Sequence, residues 1–340
     1  MLKIGFIGAG KVGTALAVLL NRKGYTVAAI YDHTRSAAER LHALVNNCTI
    51  VNNSQQVADI ADLIFITTPD GAIESVTSQI KWVQDKSVVH CSGADSTAIL
   101  EKARQYGAVV GAFHPLQTFA GITQAIENIP GTTFAIEAEE PLLTTLKEMA
   151  VSLGGNCIQL KAEDKAAYHA AAVFASNYLV TLVKMATDLW QTFEIPPDQA
   201  VKALLPLIRG TLHNIETIGL PQCLTGPIAR GDIGTIRKHL IEINQKTPEL
   251  LSTYRELGLQ AIPIAQDKGN ISAQQARDME MLLKTFDKKV QGECHENDAE
   301  KQNPPGYGNR RQHQLRRQHN HRQQTDEGSG YRRVRTGTRS

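Results

Sequence analysis

Apolar residues gather in short runs over the first 160 positions, and a stretch of helical spacing follows most of them. The runs predict strands at Leu2–Ile7, Thr26–Tyr31, Leu63–Thr67, Ser87–His90, Ala108–Phe113, Thr132–Ile136 and Cys157–Gln159. Between them the periodicity predicts helices over Val12–Arg22, Ala37–Val45, Gln55–Ile60, Ala72–Ile80, Thr97–Arg104 and Pro141–Ser152. Strands that alternate with helices imply parallel βαβ units, so the expected class is α/β with a doubly wound parallel sheet. Gly24, Gly107 and Gly154 fall where these helices should end, at the position that favours left-handed dihedrals.

After Leu160 the strand pattern stops. Ala162 to Phe193 predicts one long helix, closed by Pro196-Pro197, and further helices are expected at Asp198–His213, Ile233–Gln245, Pro248–Gln266 and Ser272–Lys288. The expected organisation is therefore an α/β domain over 1–160 and an all-helical domain over 161–290. The Ala-rich run is apolar on more than one face, which suits a central helix at a homodimer interface.

Charge adds a third region. The 340 residues carry a net +2, but positions 291–340 hold 10 Lys and Arg against 6 Asp and Glu. Ala299, Leu315 and Val334 are that stretch's only aliphatic residues, so it is expected to be a disordered basic tail. The first 290 residues are slightly acidic, which makes nucleic acid an improbable partner. No run approaches the ~18 consecutive apolar residues of a membrane span. The N-terminus leads directly into a strand, and the five scattered cysteines contain no CxxC pair. A cytoplasmic protein without a structural metal is expected.

Gly8-Ala9-Gly10-Lys11-Val12-Gly13 is a GxGxxG turn between a predicted strand and a predicted helix, the context of a dinucleotide site. Gly8 makes the turn, Gly10 lets a pyrophosphate approach the backbone, and Gly13 lets helix and strand pack closely. Nineteen residues after Gly13, Asp32 suits the ribose hydroxyls of NAD, while Arg35, Ser36 and Arg40 suit the 2′-phosphate of NADP. Ligands of open parallel sheets bind beyond the carboxyl ends of the strands. Those ends carry Thr68 and Pro69 (with Asp70), then Ser92 and Gly93, then His114. Ser92-Gly93 would admit a nicotinamide ring closely, and His114 can donate to a carbonyl near neutral pH.

On the long helix, Lys165, His169, Ser176 and Asn177 are the polar candidates. At 100° per residue Lys165, His169 and Ser176 share a face, with Asn177 turned aside by about 80–100°. His169 ranks above Lys165 as the general acid. Farther on, Leu224-Thr225-Gly226-Pro227-Ile228-Ala229-Arg230-Gly231-Asp232 forms a turn in which Thr225 and Arg230 can bind a carboxylate.

GFIGAGKVGTAL, HCSGA, GAFHPLQTF and LTGPIARGD together resemble one family over residues 1 to about 288. It comprises Rossmann-like proteins with a helical C-terminal domain of formerly unknown function. That family lies within the 6-phosphogluconate dehydrogenase-like, pyrroline-carboxylate reductase-like and ketopantoate reductase-like group. The resemblance implies NADP-dependent reduction of a small carbonyl compound, a 2-oxo acid of ketopantoate type, with NAD as the alternative cofactor. Related dehydrogenases place Lys and Asn four residues apart on the corresponding helix, whereas Val173 stands four before Asn177 here. That departure leaves two other expectations open: a cofactor-binding sensor without hydride transfer, and an imine reductase of the pyrroline-carboxylate type.

Overall fold

The computed structural model describes residues 2–45 and 47–286. The expected tail at 291–340 lies outside them. Among the described residues, packing divides the chain into two compact units that meet between Cys223 and Leu224.

The first unit opens with β1 (Lys3–Ile7), α1 (Lys11–Arg22), β2 (Thr26–Tyr31) and α2 (Arg35–His42). It continues through β3 (Thr49–Ile50), α3 (Ser54–Ile60), β4 (Leu63–Ile66), α4 (Asp70–Gln79), β5 (Ser87–His90) and α5 (Glu101–Gln105). Then come β6 (Val109–Pro115), α6 (Ile122–Asn128), β7 (Thr133–Ala138), α7 (Leu142–Ser152) and β8 (Asn156–Gln159). The eight strands lie in the order β3-β2-β1-β4-β5-β6-β7-β8. The reversal between β1 and β4 puts the crevice of a doubly wound sheet beside the Gly8–Gly13 turn.

The sheet is parallel except between β6 and β7, which pair antiparallel. Alternation of apolar runs and helices carries no information on strand direction at an edge, so the sequence pattern could not reveal this pairing. Likewise β3 has only two residues and α6 seven, too short to register as periodic. On one face Phe6 stacks on Phe65, Phe65 meets Phe113 edge-on, and Phe113 stacks on Phe134. All four rings are fully buried, binding the middle of the sheet into a single core.

The same compact unit continues through α8 (Lys165–Ala175), α9 (Asn177–Gln191) and α10 (Pro197–Thr217). The expected single helix over 162–193 is broken. Ser176 has φ −118° and ψ −65°, off the helical geometry, and separates α8 from α9. By length and composition the run Ala162–Gln191 is apolar enough to cross a membrane. Within it, however, Lys165 is buried against the sheet unit and donates from Nζ to the Ser92 carbonyl at 2.9 Å.

The second compact unit contains α11 (Ile233–Lys246), α12 (Leu251–Asp267) and α13 (Ala273–Thr285). Asp232 caps α11 by accepting the Thr235 N–H, and a Ser272–Gln275 capping box opens α13. Gly258 lets the Leu283 side chain of α13 close against the backbone of α12.

Candidate functional site

The Gly8–Gly13 turn has the geometry its glycines imply. Gly8 takes φ +106° and donates its N–H to the Tyr31 carbonyl at 2.8 Å. A Cβ on Gly13 would collide with the Gly8 carbonyl oxygen and Thr67 Oγ1, whereas one on Gly10 would meet open space. Among the described residues no side chain caps α1, which leaves its first-turn N–H groups and the positive end of the helix dipole to a ligand. Ala9 and Val12 lie on this turn and the exposed Lys11 opens the helix.

Asp32 binds the turn from β2. One carboxylate oxygen accepts the Ala9 N–H and the other the Thr34 N–H, each at 2.7 Å. Just beyond, Arg35 and Ser36 are exposed at the start of α2, Arg35 paired with Glu39 at 3.2 Å. Exposed ion pairs of this kind exchange readily with a better anion. At the end of β4, Thr67 Oγ1 donates to the Gly8 carbonyl at 2.7 Å. The neighbouring Thr68 Oγ1 is buried with no partner among the described residues, and Pro69 turns the chain into α4. A helix terminus without a cap, an open Gly10 and an orphaned Thr68 hydroxyl together fit a phosphate-bearing dinucleotide.

The end of β5 is a polar knot. Ser92 Oγ lies 2.9 Å from both Asp70 Oδ2 and Asp95 Oδ2 and accepts the Asp95 N–H. A hydroxyl has one hydrogen, so it serves one carboxylate at a time. The Ser92 N–H donates to Nδ1 of the buried His90, and the Ser92 carbonyl receives Lys165. Burial and the adjacent ammonium push His90 down to about 3, and burial also lowers Lys165 from the usual lysine range. Burial raises the adjoining Cys91 thiol to about 12, which makes it a poor nucleophile.

Gly93 adjoins a cavity of about 520 Å³ at the end of β6. A Cβ there would stand 2.5 Å from His169 Nδ1 and 2.9 Å from His114 Nε2. Glycine at 93 thus lets two imidazoles approach the backbone, a reason distinct from the expected fit of a nicotinamide ring. His114 Nδ1 lies 2.8 Å from the Tyr168 hydroxyl, with the two rings edge-on. The His169 ring also packs edge-on against His114, and among the described residues its buried Nδ1 has no partner. Burial, Lys165 and His169 push His114 down to about 4, while burial pushes Tyr168 up to about 12.

Ser176 and Asn177 also line this cavity, with Leu116 and Phe119 on its apolar side. Asn177 arrives there because the break at Ser176 resets the helical phase, correcting the expectation that it faces aside. Lys165 does not line the cavity; it is 1% exposed and lies behind the β5 end. Sharing a helix face with His169 did not give it the same surroundings. Thr225 and Arg230 are exposed in the second compact unit. Tyr168 escaped the sequence reading, although it is the one phenol between Lys165 and His169 in an Ala-rich run.

A Rossmann-like family model matches residues 1–115, and a model described as domain of unknown function DUF2520 matches residues 132–261. A glycerol-3-phosphate dehydrogenase [NAD(P)+] of Clostridium botulinum is 32% identical over 93 residues, covering 24% of this chain. That match spans only 28% of the relative's own length. Among solved structures, a Bacteroides fragilis protein provisionally named an NADP oxidoreductase is 25% identical with a TM-score of 0.62. The likeness covers 77% of this chain and 98% of the other. Pyrroline carboxylate reductase of Plasmodium falciparum, solved with NADP bound, is 15% identical with a TM-score of 0.53. It covers 82% of this chain and 98% of its own, and shows a shared fold. The chain thus carries a Rossmann-like match over residues 1–115 and a DUF2520 match over residues 132–261, the second taking in β7 and β8 as well as the helices that follow.

Proposed function

We propose that this protein is an NADPH-dependent reductase of a small carbonyl compound. One observation carries the reading. The strand ends form a continuous line from an uncapped glycine turn to a cavity walled by proton-bearing rings. Gly8 touches Thr67, Ser92 touches Asp70, and Gly93 abuts His114 and His169. From β1 through β4 and β5 to β6 is three strand spacings, about 14 Å.

The Gly8–Gly13 turn and the α1 N-terminus would hold the pyrophosphate, with Arg35 and Ser36 on the 2′-phosphate and Thr68 towards the nicotinamide end. The bound cofactor supplies a hydride for an electrophilic carbon. The chain's own residues set the surroundings of that carbon. Apolar side chains thin out water on one wall, while His114, Tyr168 and His169 offer hydrogen bonds on the other. Lys165 positions the Ser92 carbonyl and, as a buried cation, keeps His114 neutral.

The glycerol-3-phosphate dehydrogenase [NAD(P)+] that matches part of the sequence, and the NADP oxidoreductase and NADP-bound pyrroline carboxylate reductase of similar fold, support the class of reaction. A 2-oxo acid of ketopantoate type is the first substrate to try. A second reading, reduction of a cyclic imine, is favoured by one feature. Among the described residues lining the cavity there is neither lysine nor arginine, so a carboxylate would meet no cation in its wall. The exposed apolar residues of α8–α10 support a homodimer, and a cytoplasmic setting follows from the proposed use of soluble cofactor and substrate.

Calorimetric titration with NADPH and NADH tests the cofactor site directly. NADPH binding should be at least about tenfold tighter, and Arg35→Ala should narrow that gap, since an arginine–phosphate pair contributes on the order of 1.5–3 kcal/mol. Gly13→Ala should abolish binding, because its methyl meets backbone. Full NADPH affinity in Gly13→Ala would defeat the reading.

A further inference from the structure

We propose that the Tyr168 phenol donates a hydrogen bond, and then a proton, to the carbonyl oxygen or imine nitrogen of the substrate, with His114 as its positioning residue. This rests on the reductase reading above and names the proton source it lacks.

The contact between His114 Nδ1 and the Tyr168 hydroxyl can run in either direction. If the imidazole Nδ1–H donates to the phenol oxygen, the phenol O–H is left for the cavity that both residues line. The imidazole comes from the end of β6, where the sheet holds it, and the phenol from the first turns of α8. Their edge-on packing, with ring centroids 5.6 Å apart, fixes the phenol oxygen relative to the sheet. Both groups are in the protonation states this requires. Burial keeps His114 neutral with one proton to share, and keeps Tyr168 a phenol rather than a phenolate at neutral pH. Of the remaining polar groups of the wall, Gln117, Thr118, Ser176 and Asn177 can hydrogen-bond but are far weaker acids than a phenol, and His169, whose Nδ1 is turned to Gly93, is the competitor that the His169→Asn variant below separates.

The step balances. As the carbonyl carbon gains a hydride from a dihydronicotinamide, the C–O π pair moves onto oxygen. The Tyr168 O–H bond breaks as the new alcohol O–H forms. The phenolate left behind is held by His114 Nδ1–H and regains its proton from water entering the cavity. His114 stays neutral throughout, so its depressed basicity is no obstacle to this role.

The test uses the full chain and a ketone probe, cyclohexanone, whose carbonyl stretch is read by isotope-edited infrared spectroscopy without cofactor. In the wild type the bound carbonyl should shift to lower frequency. Tyr168→Phe should remove that shift while leaving the circular dichroism and melting curve unchanged. His114→Ala should shrink it, and His114→Asn, which restores an N–H near the position of Nδ1, should recover it. With NADPH present, Tyr168→Phe should lower kcat about 10²–10⁴-fold with KM little altered. An unchanged carbonyl shift in Tyr168→Phe, or a shift lost instead in His169→Asn, would overturn the proposal. Failure of the wild type to bind NADPH, measured separately by calorimetry, sinks the reductase reading and the proton transfer with it. In that case a carbonyl shift that depends on Tyr168 shows the hydrogen bond alone.

Discussion

Phe113 and Phe174 mark two different uses of apolar surface in one compact unit. Phe113 is fully buried between Phe65 and Phe134 in the middle of the sheet. Phe174, near the end of α8, is 72% exposed, and Val180, Leu207 and Leu220 on and after the next two helices are 68–71% exposed. The sheet closes its own core within the chain. The helical segment that follows does not, yet its sequence is as apolar as a core element. Large apolar side chains left open in this number on successive helices are what the proposed dimer would cover. The comparison teaches that the two parts differ in where their apolar surface goes: the first closes it within its own fold, while the second leaves it for the second copy of the homodimer proposed above.

The largest effect should come from charging the open face. Val180→Asp with Leu207→Asp would place two carboxylates where the proposed dimer buries methyl groups. Sedimentation should show a dimer in the wild type and a monomer in the double variant, with reductase turnover lost. The sheet should be little affected, since neither residue touches its core. A wild-type chain that sediments as a monomer at micromolar concentration would break the comparison at once.

A paired substitution sharpens it. Phe113→Ala removes a ring stacked 4.4 Å from Phe134 and should cost about 3–5 kcal/mol of unfolding free energy. Phe174→Ser should leave the unfolding of the monomeric double variant within about 0.5 kcal/mol, while weakening dimerisation in the wild-type background. Urea unfolding of each protein, at fixed concentration, gives both numbers. Equal losses at the two positions would mean that the helices have a core of their own.

The same contrast explains what the sequence discloses. The Gly8–Gly13 turn is legible because most of its requirements are local: a positive φ at Gly8, a Gly8 carbonyl that leaves no room at Gly13, open space at Gly10. The β-α alternation likewise follows from neighbours in the chain. The cavity is not local. Gly93 matters because His114 and His169, from two other elements, converge on it, and nothing at position 93 announces them. Tyr168 is part of the site only through its contact with His114, 54 positions away. Lys165 looked equivalent to His169 on a helical wheel, yet one faces the cavity and the other lies buried behind it. The break at Ser176 has no proline or glycine to signal it, so Asn177 changed sides unannounced. Ser92, read as a residue open to ligand, has its hydroxyl engaged by Asp70 and Asp95.

The smallest effect lies where the two parts meet, at His90. This imidazole sits at the end of β5 and is kept neutral by burial and by the Lys165 ammonium entering from α8. Its folded pKa of about 3 lies below the unfolded value of 6.5. Between those values the unfolded chain binds more protons than the folded one, so stability falls as pH drops from 6.5 towards 3 and is fully present above 6.5. At about pH 5 the loss from this group should be on the order of 2 kcal/mol. His90→Asn keeps an acceptor for the Ser92 N–H but cannot titrate, so its stability should fall less between pH 7 and about pH 5. His114, pushed down to about 4, adds a parallel loss that both proteins retain, and the difference between them isolates His90. Identical pH slopes would mean that the β5 end opens to water before the imidazole is protonated.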